Sequence, residues 1–116
     1  MFAAGMVLKM VSMDPSITLK QLGGKKFIIM TGARDFIFSK KDNHIAFKIP
    51  RADQNINFVK ITLNAMDLYD IEFSHINKKT FGYKVIKTVT GVYFDQLQSI
   101  FTQETKLYTS LTQEVY

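Results

Sequence analysis

A chain of 116 residues in which 47% are hydrophobic and ten are phenylalanine has enough apolar material for one domain, burying somewhat over ~60% of the surface its unfolded form exposes. The absence of cysteine excludes disulfides, thiolate nucleophiles and cysteine-ligated metal sites, and it fits a reducing compartment. A formal charge of +5 keeps acidic partners, nucleic acid among them, within view.

Residues Met1 to Val11 are apolar apart from Lys9. They lack the basic n-region and small-residue cleavage site of an export signal, and the run is too short to span a bilayer, so no membrane partner is expected. Methionines at positions 1, 6, 10 and 13 support reading residues 1–13 as an extension ahead of an alternative start. The other reading is an amphipathic arm that docks on the sheet or on a second copy of the chain. The domain proper is expected over residues 14–116.

Asp14-Pro15-Ser16 supplies an N-cap acceptor followed by a proline at the first helical position, and Gly23-Gly24 stops a short helix after Leu22. Lys26 to Thr31 (KFIIMT) is apolar on both faces and predicts a strand covered on both sides. Phe36-Ile37-Phe38, the polar Ser39–Asn43 segment and His44 to Ile49 read as a hairpin, with Ile45, Phe47 and Ile49 inward and His44, Ala46 and Lys48 outward. Val59, Ile61 and Leu63 form the next inward set, against Phe58, Lys60 and Thr62 outside. Tyr69, Ile71 and Phe73 follow on an antiparallel neighbour. Tyr83 to Thr90 carries Lys84 in one alternating set and Lys87 in the other, which suits an edge strand. Tyr93, Leu97, Ile100, Phe101, Glu104, Leu107, Tyr108 and Leu111 recur at helical spacing. The expectation is therefore an α+β fold: an antiparallel sheet of about five strands, with a short N-terminal helix and a longer C-terminal helix packed on it.

The strings KKFIIMTGARDF, HIAFKIPR, NFVKITLNAMDLYDIEF and VYFDQLQSIFTQETKLYTSL resemble segments of a family of small uncharacterised proteins encoded in bacteriophage and prophage genomes. The resemblance covers about Ile17 to Leu111 and leaves the methionine-rich start unmatched. It implies a setting, the cytoplasm of an infected or lysogenic bacterium, and no residue role can be carried over from it.

Charge is the feature with functional content. From Lys20 to Lys87 there are 13 basic and 6 acidic residues, whereas Thr88 to Tyr116 sets Lys106 against Asp95, Glu104 and Glu114. Lys40, Lys41, Lys48, Arg51, Lys60, Lys78 and Lys79 are candidates to contact a partner or a phosphate backbone, with Phe58 or Tyr83 for base stacking. The plainer reading makes them solubilising surface lysines. A double-stranded-RNA module is rejected because the final helix is acidic where those modules need cations, and no helix-turn-helix, RNP or zinc-finger spacing is present.

Enzyme readings are weaker. His44 and His75 have no metal-ligand spacing. Asp70 and Glu72 share a strand face as an acid–base or cation-binding pair would, yet Lys60 on the neighbouring strand favours ordinary ion pairing. The serines lack a nucleophile elbow, and the glycines form no phosphate loop. No catalytic residue, metal or cofactor is expected. The function expected is that of a small non-enzymatic phage-type protein acting by protein–protein interaction, on a host or defence protein or as a homo-oligomer. The alternative is a nucleic-acid-binding accessory protein that uses a basic sheet and turn surface.

Overall fold

The computed structural model describes residues 13–50 and 52–107. Its sheet has five antiparallel strands in sequence order: β1 (Arg34–Ser39), β2 (His44–Lys48), β3 (Phe58–Leu63), β4 (Tyr69–Ile76) and β5 (Tyr83–Val92). β1 and β5 are the edges. Before the sheet come α1 (Pro15–Leu22) and α2 (Gly24–Thr31), and after it come a 3-10 turn (Phe94–Gln96) and α3 (Leu97–Thr105). The α+β expectation holds.

Local chemistry explains the helix boundaries. The Asp14 carboxylate accepts from the Ser16 amide at 3.0 Å and from its hydroxyl at 2.8 Å, with Pro15 at the first helical position. These hydrogen bonds hold the Asp14 carboxyl below its ordinary value. Gly23 and Gly24 both take positive φ and turn the chain sharply between α1 and α2.

That turn corrects one expectation. Lys26 to Thr31 is helical, not a strand. Phe27 and Thr31, four apart, are the buried pair, while Ile29 stays 79% exposed. Two consecutive isoleucines suggested a strand, but the burial repeats every fourth residue, and the Thr31 hydroxyl donates back to the Phe27 carbonyl at 2.7 Å. The N-terminal part is thus two short helices instead of one.

The inward sets fall as the alternation predicts: Ile45, Phe47, Ile49, Val59, Ile61, Tyr69, Ile71 and Phe73 are all buried. All three helices lie on this side. Phe47 meets Phe27 of α2 at 5.4 Å and Phe101 of α3 at 6.3 Å, and the two helix rings meet each other at 5.2 Å. Met13 is buried with this core, and its amide donates to the Asn43 side chain at 3.2 Å.

Two smaller differences have simple causes. Ala46, expected to face out, is buried, because its methyl is covered by its outward neighbours Ile37 and Lys60 on the flanking strands. The C-terminal helix is shorter than its periodicity suggested, because Lys106 takes a left-handed conformation and closes it. Tyr108 and Leu111 lie outside the described residues, as do residues 1–12.

Lys87, the inward charge on β5, has a specific role. Opposite Phe73 in register, it reaches Glu104 of α3 at 3.1 Å, and the glutamate is almost wholly buried. The edge strand is thereby fastened to the helix layer.

Candidate functional site

The helices cover one side of the sheet, and among the described residues nothing packs on the other. Cross-strand register composes this open face in rows. Arg34, Lys48, Phe58, Ser74 and Val85 form one row, and Ile37, Ala46, Lys60, Glu72 and Thr88 form the next.

Glu72 is the hub of the face. It pairs with Lys60 at 4.0 Å, accepts from the Ser74 hydroxyl at 3.4 Å and accepts a hydrogen bond from the Tyr83 hydroxyl. Ser74 also donates to the Tyr83 oxygen at 3.1 Å, and the Tyr83 ring meets Phe58 edge-on at 6.2 Å. Asp70 is engaged elsewhere: it accepts from Asn64 at 3.1 Å and from the Gly91 amide at 3.0 Å, which pins the turn of chain at Gly91. Both carboxylates of the Asp70–Glu72 pair are therefore held by structural partners.

The basic candidates divide. Lys48, Phe58 and Lys60 adjoin on the open face, as the alternation predicts. Lys78 and Lys79 lie in the β4–β5 turn at the same end as Lys48, but Lys40 and Lys41 lie in the β1–β2 turn at the opposite end. A strand of five or six residues separates the two ends by ~17–20 Å, so the four turn lysines are not brought together. Arg51 lies outside the described residues.

The β4–β5 turn contains a residue that sequence reasoning missed. Phe81 is 84% exposed and takes φ 58°. Left-handed backbone is adopted routinely by Gly and sometimes by Asn or Asp, and for an aromatic residue it is strained. The turn around it is firmly built. The Asn77 amide donates to the Gly82 carbonyl at 2.8 Å, the Asn77 side-chain oxygen accepts from the amides of Lys79 (2.9 Å) and Thr80 (3.3 Å), and Gly82 donates to the Thr80 hydroxyl at 3.2 Å. Phe81 is thus projected from a rigid turn, beside Tyr83 and Val85, which are 51% and 44% exposed on the edge strand β5. The one sequence signal was an aromatic inside a run of turn-forming residues, Asn77-Lys78-Lys79-Thr80-Phe81-Gly82.

Hollows lie at either end of the sheet among the described residues. One, of about 70 Å³, opens between Arg34, Lys48 and Lys78 over Ile49, Pro50 and Ile76. Another, of about 240 Å³, lies at the opposite end between α1 and the sheet, where Asp14, Thr18, Gln21, Asp67, Tyr69 and Phe94 meet. Within it the Tyr69 hydroxyl donates to Gln21 at 2.6 Å and lies 3.0 Å from the buried Thr18 hydroxyl. Burial pushes the Tyr69 phenol above its ordinary value.

His75 Nδ1 lies 2.7 Å from the Asn55 carbonyl oxygen, tying β4 to the β2–β3 connection. Among the described residues no three His, Asp or Glu side chains converge as metal ligands would, and no helix is long and apolar enough to cross a membrane. Comparison with protein-family models, with curated proteins and with solved structures gives no match to this chain.

Proposed function

We propose that this protein is a non-enzymatic binding module that grips another protein with its β4–β5 turn and the adjoining open face of the sheet. The observation that carries this reading is Phe81: a large apolar ring, exposed, held in strained backbone by a rigid turn. Strain of ~1–3 kcal/mol persists where the surroundings over-determine it, and such residues cluster at ligand clamps. Aromatic anchors amid exposed apolar neighbours, rimmed here by Lys78 and Lys79, have the composition of an interface core with a polar rim. The resemblance of the chain to phage-encoded segments suggests the partner, a host or defence protein in a bacterial cytoplasm.

The test is co-purification of the tagged protein from phage-infected bacteria, with nuclease treatment, alongside a Phe81→Asn variant. A protein partner that survives nuclease and is lost from the variant supports the reading. A partner retained equally by both proteins removes Phe81 from it.

One observation favours a second reading, binding to nucleic acid. Lys48, Phe58 and Lys60 adjoin on the open face, with Tyr83 against Phe58. Glu72 weighs against it, since it neutralises Lys60 in the middle of that face. If Lys48, Lys60 and Lys78 contact phosphates, binding to generic DNA or RNA should weaken with a log–log salt slope of about −2 to −3, and Gln at all three should flatten it. No binding at about 50 mM salt would eliminate this second reading, and that is the outcome expected.

A further inference from the structure

We propose that the cleft between the outer ends of β1 and β2 and the β4–β5 turn is a binding site for a single phosphate group, free or as a phosphomonoester. Three cations reach it from three separate elements: Arg34 opens β1, Lys48 closes β2 and Lys78 lies in the turn. Its volume of about 70 Å³ has room for a few waters or one compact oxyanion.

The register makes the charge arrangement costly without a ligand. Arg34 and Lys48 are direct cross-strand partners, and like charges set opposite each other destabilise a sheet. The pairing arises from an irregularity: the register shifts between Arg34 and Ile37, and Asp35 inside that shift takes φ 56°. A bulge of this kind re-aims side chains at a sheet edge. Asp35 offers only partial relief, reaching Lys48 at 3.5 Å with both side chains about half exposed, where an ion pair is weak. Among the described residues no carboxylate pairs with Arg34 or Lys78.

The walls are fixed in advance. The Ile49 amide donates to the Asn57 carbonyl at 3.0 Å, and the Asn57 side chain bridges to Ile76, accepting from its amide at 2.8 Å and donating to its carbonyl at 3.0 Å. Pro50 is backed by Gly32, where an added Cβ would fall 2.9 Å from the proline ring. Asn77 anchors the turn that carries Lys78. Ile49, Pro50 and Ile76 line the cleft together with the three cations, and Asn57 adds a polar group to its wall. An arginine fork beside two lysine point charges suits a dianionic phosphate, which takes several charge-assisted hydrogen bonds at once. This site does not depend on Phe81 or on a protein partner.

The test is an NMR titration of the isotope-labelled full chain with inorganic phosphate and, separately, with phenyl phosphate, both at constant ionic strength. Saturable shifts centred on Arg34, Ile49 and Lys78 are expected with at least one of the two. Response to both assigns a monoester site, and response to inorganic phosphate alone assigns a free-anion site. The double variant Arg34→Gln/Lys78→Gln should bind about tenfold more weakly or worse, and its melting temperature without phosphate should not fall, because a like-charge pair has been relieved. Lys40→Gln/Lys41→Gln should bind as the parent does. Shifts spread equally to the β1–β2 turn, unchanged binding by the cleft variant, or no saturable response to either probe would overturn the proposal.

Discussion

Tyr69 joins the two layers of the molecule through one hydroxyl, donating to Gln21 and meeting Thr18, which is 1% exposed. Replacement by Phe leaves Thr18 with an unmatched buried hydroxyl and should cost ~1–3 kcal/mol at neutral pH, measured by urea denaturation. The pH dependence has a definite sign. The folded phenol is raised above its ordinary 10.0, so the neutral form is favoured in the native state. Its contribution is whole below 10.0 and is lost as pH climbs through the raised folded value. The stability gap between parent and Tyr69→Phe should therefore narrow above pH 10.0. Glycine makes a second contrast at this scale. Gly32 and Gly91 both take left-handed φ, but an added Cβ meets Pro50 only at Gly32, and at Gly91 it meets open space. Gly91→Ala should cost about 1 kcal/mol from backbone alone, and Gly32→Ala distinctly more.

Among the elements, the strands were legible because a half-covered sheet imposes a period of two, and each inward set from Ile45 to Phe73 obeys it. The second helix was hidden by its own composition: Ile28 and Ile29 are β-branched, and only the burial of Phe27 and Thr31 reveals the period. Lys48, Phe58 and Lys60 could be read as outward-facing from alternation. Arg34 could not, because its position opposite Lys48 depends on the irregularity at Asp35, and Phe81 could not, because its exposure depends on the backbone of a turn. The helix layer yields two predictions. Phe101→Ala removes a ring packed against Phe27 and Phe47 and should cost ~3–5 kcal/mol; an unchanged melting temperature would contradict the packing described. Lys87→Gln strips the counter-charge from the nearly buried Glu104 and should cost about 1–3 kcal/mol, with Glu104→Gln in the same background recovering part of the loss.

Across the whole molecule, covered and open sides divide the work. The helix side holds the aromatic core, and the opposite side concentrates its exposed ring, apolar edge and cationic cleft at the end of the sheet where β2 finishes and β4 turns into β5. The two ends differ in kind: Lys40 and Lys41 lie beside a turn stitched by Ser39 and Asp42, and the exposed aromatic residues at that end, Tyr93 and Phe94, do not take the left-handed backbone that Phe81 does. Folding does not explain Phe81, since its ring is left in solvent and its backbone is strained. On the proposed reading Phe81 serves a partner at some expense to the fold, and denaturant unfolding of Phe81→Asn tests this with no partner present. Asn adopts left-handed backbone more readily than Phe, so the variant should be as stable as the parent or gain up to about 1 kcal/mol. A loss of more than about 1 kcal/mol would show that the ring supports the fold and is not held out for a partner.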